Sequence, residues 1–566
     1  MCGIFMMLNN RLDAESQDVF SKDFINEQFK KGVRRGPESS KLDYLSTQMV
    51  AGFHRLAING LDEDSMQPMW INNKMLICNG EIYNHKELFT QMNTTPTTNS
   101  DCEIILHLYC KYGIDQTLRM LDGVFAFALY DADLKQVFIA RDPYGVRPLY
   151  AWNKVKGPNN IFMFASELKV ITPFLTLNYS GCDITHFSPG HYMCIEHDPY
   201  FGLWMKKELI KYHEISSLSS YCNPISMYEN MAYYLKMAVI KRCLTTNRPI
   251  ACLLSGGLDS SLITALVSEF YAIHCPTKQL ETYSIGLADS EDLKYARIVA
   301  DHLGTHHTEV IITEDDFFNA IPEVIEAIES YDTTSVRASI GNYLIGKYIA
   351  EHSSAKVIFN GDGADELCGG YLYMHNTPDA IEFDKETKRL LSDIYLFDVL
   401  RSDKSISSNG LEPRTPFLDK TFVQYYLSLP ADIRFHSGHS QCEKHLLRTA
   451  FSQMYHADSS KPFLPAEILW RRKEAFSDGV SGVSRSLYTI LQEKIATIGG
   501  IDSEYNIYKD KGRDIHLPPK TLEQYYYRRI FDALYPSTEK IVPYFWMPKY
   551  TSADDPSART LNLYAL

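Results

Sequence analysis

The chain has no CxxC pair, no common zinc-ligand spacing among its 12 cysteines and 18 histidines, and no apolar run near eighteen residues in length. It therefore shows no pattern for a structural zinc, a disulfide framework or a membrane-spanning helix. The histidines of FHSGHSQCEKH and HLGTHH are expected in structural or surface roles, and no secretory signal opens the sequence. Excess positive charge is missing too. With 56 Lys and Arg against 70 Asp and Glu, the formal charge of −14 argues against a broad nucleic-acid or anionic-membrane surface. Any anionic ligand must instead meet a local cluster of Arg and Lys. Internal repeats, low-complexity tracts and a GxxxxGK[ST] phosphate loop are also absent. What remains is ordinary globular composition over 566 residues, 45% apolar and 22% charged, enough for about two to four domains. A reduced, cytosolic (cytoplasmic) protein without nucleic-acid or membrane partners is the expectation.

Residues 1–205 are rich in short apolar runs, such as IFMML, KMLICNGEIY and VFAFALYD, divided by Gly, Asn and Asp, with one helical stretch at CEIILHLYCKYG. This predicts an α+β domain. Residues 206–225, of mixed charge with Ser and Tyr, are a candidate linker. From 226 to 535 long amphipathic segments alternate with short buried runs, PIACLLS, TYSIGL and KVIFNG, which is the βαβ rhythm of a mainly parallel sheet. The Pro-, Ser- and Asp-rich tail, 536–566, is expected to be loose.

CLLSGGLDSSLITALVSEF is a buried strand, a glycine loop and a helix. Glycines admit phosphate oxygens close to the backbone, Ser255, Ser260 and Ser261 add hydroxyls, and the helix start adds unpaired N–H groups. A carboxylate there would repel phosphate unless a cation intervened, so Asp259 is read as a Mg²⁺ ligand. NGDGADELCGGY follows a second buried strand and places Asp362, Asp365 and Glu366 on another glycine loop. Carboxyl ends of parallel strands gather ligands, which would bring both loops together. A simple helix N-cap is the bland alternative in each case.

Cys2 raises a different question. With Met1 removed, its thiol would sit beside a free α-amine, giving nucleophile and base on one residue.

SGGLDSS resembles the pyrophosphate loop of the PP-loop ATP pyrophosphatases. Together with ESYDTTSVRAS, NGDGADELCGGYLYMH, EPRTPFLDK and RRKEAFSDGV it is similar to the glutamine-hydrolysing asparagine synthetases. MCGIF, RRGPES, FHRLAI, NGEIYNH, TNSDCEIIL and RDPYGVRPLY follow in the order of a class II glutamine amidotransferase. The similarity runs from Cys2 to about Tyr526. It implies an N-terminal-nucleophile (Ntn) hydrolase sandwich of antiparallel sheets, then an α/β PP-loop domain. It also implies synthesis of L-asparagine from L-aspartate and L-glutamine with ATP and Mg²⁺, through β-aspartyl-AMP. The products would be AMP, pyrophosphate and L-glutamate, and the resemblance allows a homodimer.

The resemblance assigns residues as well. Cys2 would attack glutamine, with Asn79 and Gly80 holding the oxyanion. Arg55, Leu56, Ala57, Ile58, Asn59, Glu81 and Asp101 would bind the rest of glutamine. Taken singly, Asn79-Gly80 is also a hairpin-turn signal, Asp101 a helix cap and Arg55 a surface ion pair. Leu254 and Ile285 would hold adenine, and Ser255, Gly256, Gly257, Asp259, Ser260, Ser261, Asn360 and Gly361 the rest of ATP. Asp259 and Asp365 would hold Mg²⁺, Lys473 would be catalytic, and Arg337, Glu366 and Arg414 would bind aspartate. Val124 and Val146 lie in motifs that would face an ammonia passage, or are ordinary core. The family generally has a glutamate within SGEGSDE; this chain has Asp362 there, one methylene shorter, in a catalytic position. A β-lactam synthetase is the neighbouring alternative, opposed by the intact glutaminase residues; a binding protein without turnover is the other.

Overall fold

The computed structural model describes residues 1–10, 20–154, 160–175, 183–215, 223–436, 442–454, 462–473, 479–481, 485–510, 515–552 and 555. The chain divides into two compact units. Unit 1 is Met1–Glu214, Ser407–Leu411 and Phe531–Pro543; unit 2 is Ile215–Ile406, Glu412–Ile530 and Tyr544–Leu566.

The strands of unit 1 are β1 (Gly3–Asn9), β2 (Ser39–Ser46), β3 (Met49–Arg55), β4 (Met69–Ile71), β5 (Lys74–Ile82), β6 (Gly123–Asp131), β7 (Gln136–Arg141), β8 (Tyr150–Lys154), β9 (Ile161–Ala165), β10 (Ile184–His186), β11 (His191–Asp198) and β12 (Leu203–Lys211). They form two six-stranded sheets in the orders β10-β8-β9-β1-β3-β2 and β12-β11-β7-β6-β5-β4. Every strand pair in both sheets is antiparallel.

Alternation along the strands explains the layering. Met75 and Ile77 of β5, with Ala126 and Ala128 of β6, pack with Ile4, Met6, Leu8, Ala51 and Phe53 of the facing sheet. Their neighbours Leu76, Cys78, Phe125 and Phe127 pack instead with Ile104, Ile105 and Leu108 of the helix Glu103–Met120. A strand turns successive side chains to opposite faces, so a strand covered on both sides must be apolar throughout, as KMLIC and VFAFAL are. Phe5 of β1 does the same on the other sheet. It lies beside Phe29 and Phe174, from the helices Lys22–Lys30 and Leu168–Leu175. Burying each such ring contributes about 1.5–3 kcal/mol.

Two expectations need correction. Residues 206–211, read as linker, continue β12 and pair with β11. β12 is a sheet edge, and KKELIK is exposed and lysine-rich because edges are protected by charge, not because the chain has left the fold. The boundary between units falls at Glu214/Ile215, residues 216–222 lie outside the described residues, and a helix begins at Pro224 under an Asn223 cap. The tail is not loose throughout. Ile541 and Val542 are buried in it, and Trp546 packs with Tyr373, Met374, Phe383 and Phe397 while its N–H donates to Asp332 Oδ1 at 2.8 Å. A few large apolar anchors outweigh a polar composition. Residues 553, 554 and 556–566 lie outside the described set.

Unit 2 is built on β13 (Ile250–Leu253), β14 (Glu281–Gly286), β15 (His306–Ile311), β16 (Val357–Phe359) and β17 (Glu412–Arg414), in the order β15-β14-β13-β16-β17. All pairs are parallel. Parallel neighbours need crossovers, supplied here by helices such as Leu258–His274 and Glu291–Leu303. His307 is spent inside this sheet, against Thr282 and Ser284.

Candidate active sites

Because β13 and β16 are adjacent and parallel, the loops leaving their carboxyl ends meet. Contact is close: a Cβ on Gly361 would lie 2.7 Å from the Ser260 backbone nitrogen, so only glycine fits. The two loops border a cavity of about 230 Å³. Leu254, Ser255, Gly257, Asp259, Ser260, Ile285, Asn360, Gly361, Asp362, Asp365, Glu366 and Lys473 all line it.

Four expected residues do not. Gly256 has φ +71° and turns its back on the cavity, against Tyr295 and Ala296. Ser261 is fully buried on the helix. Arg337 donates from Nε and Nη2 to Glu523 and from Nη1 and Nη2 to Asp555. Arg414 donates to Glu412 and to the carbonyls of Arg242 and Thr245. Both guanidiniums are buried and already partnered within unit 2, and neither lines the cavity.

The charge centre of the cavity is a cluster that spacing alone does not announce. Lys444 Nζ lies 2.5 Å from Asp259 Oδ2 and also pairs with Asp365; Lys473 Nζ lies 2.6 Å from Asp365 Oδ2 and 4.0 Å from Asp259. Lys444 holds φ +56°, in the left-handed region that non-glycine residues seldom occupy. Burial opposes ionisation of Asp365, but the two ammoniums outweigh it and hold its carboxyl well below the usual range. Burial likewise opposes the charge on Lys444, and the two aspartates reverse that and push it up.

Farther along the loop the sign changes. Burial pushes Asp362 up to about 6, with Arg401 opposing and Asp398 adding to the rise. Burial, with Asp398 and Asp365, raises Glu366 well above the carboxylate range, and the Tyr371 hydroxyl donates to it.

A Mg²⁺ fits the first cluster. Asp259 Oδ1 is buried without a hydrogen-bond partner, and both carboxylates already converge on one cation. Among the described residues no three His, Cys, Asp or Glu side chains are grouped to hold a metal. Two carboxylates completed by phosphate oxygens and water suit Mg²⁺.

Unit 1 carries the second site. Cys2 is half-buried; its Sγ lies 3.5 Å from the Leu56 carbonyl, and its own carbonyl accepts from Arg35 Nε at 3.0 Å. Arg35 is buried and paired with Glu167. Ser166 Oγ accepts from Ile4 N–H at 3.1 Å and from the Asn79 amide at 3.5 Å, which ties Asn79 to the start of β1. Asn79 and Gly80 lie inside β5, so they form no hairpin turn, and Asn79 Oδ1 is buried without a partner. Asp101 accepts from Ile82 N–H at 2.6 Å and caps no helix. Asn59 donates to Glu81 at 2.6 Å, Ala57 N–H donates to Glu38, and Arg55 donates to the Gly60 and Asp62 carbonyls. Ile58 is buried alongside, as are Val124 and Val146. With Met1 in place the nitrogen of Cys2 is a peptide amide, and the Met1 amine donates to Leu411 O at 3.1 Å.

A family model described as asparagine synthase matches residues 232–386 and 375–554, and one described as a glutamine amidotransferase domain matches residues 1–198. The chain is 41% identical over 584 residues to asparagine synthetase [glutamine-hydrolyzing] of Homo sapiens, covering 100% of this chain and 99% of that protein. The proteins of the same name from Gallus gallus and Cricetulus griseus are 40% and 41% identical, with the same coverage. This chain belongs to the glutamine-hydrolysing asparagine synthetase family.

Within an asparagine synthetase, several residues placed here carry no sequence signal of their own. Lys444 lies in EKHLLR, a stretch whose histidines draw attention first. Asp398 and Arg401 come from the helix Asp398–Ser407, and Tyr371 from the turn after Glu366. Residues 474–478 of the KEAFSDG motif lie outside the described residues.

Proposed function

We propose that this chain synthesises L-asparagine from L-aspartate and L-glutamine using MgATP, in two half-reactions. The observation that carries the reading is the meeting of the Leu254–Ser260 and Asn360–Glu366 loops around one cavity, in a member of this family.

In unit 1, Cys2 Sγ attacks the glutamine amide carbon. Once Met1 is removed the α-amine, with an ordinary pKa near 7.7–8.0, moves the protons at little cost. The Asn79 side-chain amide and Gly80 N–H stabilise the oxyanion. Ammonia leaves, and water releases L-glutamate from the thioester. Arg55 and Asp101 orient the amino-acid end of glutamine, with the Leu56–Asn59 segment and Glu81 around it.

In unit 2, the β-carboxylate of aspartate attacks the α-phosphorus of ATP and pyrophosphate departs. Ammonia then attacks the acyl carbon, and AMP leaves. Asp259 and Asp365 would hold Mg²⁺, which would neutralise charge on the pyrophosphate. Ser255, Gly257 and Ser260 cradle phosphate. Leu254 N–H is already given to Tyr283 O at 2.8 Å, leaving the Leu254 carbonyl, with Ile285, for adenine. Lys473 stabilises the charge that builds as pyrophosphate leaves, Asp362 acts in forming the adenylate, and Glu366 receives the aspartate ammonium. We place the enzyme in the cytosol, consistent with its free cysteines, and light scattering tests a homodimer.

Glutamine labelled at its amide nitrogen, supplied with MgATP and aspartate, should give labelled asparagine with AMP and pyrophosphate in equal amounts. Unlabelled product, or turnover only with another acid, would overturn the reading.

A further inference from the structure

Asn360 lines the cavity, yet all the polar atoms of its side chain are already engaged. Nδ2 lies 2.7 Å from Asp362 Oδ2 and 2.8 Å from Ser402 Oγ, while Oδ1 accepts the Asp362 N–H at 3.3 Å. The side chain thus grips the residue two places on by both its backbone and its carboxylate, and anchors that grip to the helix Asp398–Ser407. The other carboxylate oxygen, Oδ1, faces Arg401 Nη2 at 3.6 Å, and Arg401 is itself paired with Asp398.

An aspartate reaches about 1.5 Å less far than a glutamate, one C–C bond. A serine hydroxyl at position 360 is shorter than the amide and has one donor where the NH₂ has two, so it would leave room for a longer acid at position 362.

We propose that Asn360 is a positioning residue for Asp362, and that the two side chains act as a matched pair in which the amide fixes the acid toward Arg401 and the cavity. This rests on the role of Asp362 in adenylate formation.

Aspartate-dependent pyrophosphate release by the unaltered chain, with ammonia as nitrogen donor, tests that underlying role first. Its absence would sink the functional reading whatever the variants do. Given that activity, Asn360→Asp, which is isosteric but lacks the donor, should lower kcat about 10- to 100-fold, the scale for misplacing a reacting group by about 1 Å. KM for ATP should stay within about threefold, since ground-state nucleotide binding is not what is lost. Asn360→Ala should behave alike, with the thermal midpoint of each variant checking that it folds. Asp362→Glu alone should be impaired, because the longer acid meets the Asn360 amide. Adding Asn360→Ser to it should restore kcat to within about threefold of the unaltered chain, a coupling that a merely structural asparagine would not produce. Equal effects of Asp362→Glu with and without Asn360→Ser would overturn the pairing. So would a raised KM for ATP at unchanged kcat, which would make Asn360 a nucleotide contact.

Discussion

The Lys444 ammonium lies 2.5 Å from Asp259 Oδ2, deep in unit 2, where a divalent cation would otherwise be needed to offset the carboxylates. Removing it by Lys444→Met leaves two half-buried carboxylates with Lys473 as their neighbouring cation. In Mg²⁺-free buffer this should cost about 3–5 kcal/mol of unit 2 stability, the range for breaking a buried ion pair from one side. Urea unfolding with and without Mg²⁺ checks it: the loss should shrink when Mg²⁺ is added. A loss independent of Mg²⁺ would separate Lys444 from the metal site.

Replacing Cys2 by alanine should abolish asparagine formation from glutamine and leave formation from free ammonia within about twofold, since only unit 1 chemistry is removed. Across preparations, the glutaminase rate should scale with the fraction of chains lacking Met1, read by intact-mass spectrometry. A fully Met1-bearing sample with normal glutaminase activity would refute the α-amine as base.

Burial pushes the Asp362 carboxyl up to about 6. A carboxylate with a raised pKa takes up its proton early as pH falls. The kcat/KM for aspartate-dependent pyrophosphate release should therefore drop through about pH 6, because this parameter reports groups of the free enzyme. In Asp362→Asn that limb should disappear along with most of the activity.

Glu103 works in the opposite sense. Burial opposes its charge, but bonds from His107, Thr97 and Thr98 prevail and lower its carboxyl from 4.5 to about 2. Its stabilising contribution is complete above about pH 4.5 and is lost as pH falls toward 2. Acid unfolding of unit 1 should show this limb, and Glu103→Gln should remove it.

Arg414→Ala should be a stability variant. The side chain is buried among Glu412, Arg242 and Thr245, so about 3–5 kcal/mol should be lost from urea unfolding. KM for aspartate should stay within about twofold in the folded fraction. A large rise in KM at unchanged stability would return Arg414 to the substrate.

These predictions also mark what could be read from the chain alone. Leu254, Ser255, Asp259, Asn360, Asp362 and Asp365 were legible because each sits where a buried run gives way to glycine, and parallel sheets gather such ends. Asn79-Gly80 could be read as turn or oxyanion hole, and the extent of β5 excludes the turn. That Arg414 and Arg337 lie outside the cavity lining was not legible, for a physical reason. A guanidinium seeks any carboxylate or carbonyl, and whether Glu412, Glu523 or Asp555 reaches it first depends on folding across long stretches of chain. Lys444 stands 185 positions from Asp259, beyond the reach of spacing arguments. The edge strand β12 looked like a linker because an edge and a linker both face water.

Unit 1 is stitched from three stretches of chain, the last of them Phe531–Pro543, and the Met1 amine finds its acceptor at Leu411. On the ribosome the two sheets can pair early, but the last segment of the unit, Phe531–Pro543, emerges only after most of unit 2. At about 5–20 residues per second that delay is on the order of tens of seconds. The half of the molecule that would release ammonia is thus started before its synthetase half and completed only after most of that half has been made. Nascent chains stalled before Phe531 would hold an incomplete glutaminase, so a partly made chain would be poorly equipped to hydrolyse glutamine before its synthetase half is in place.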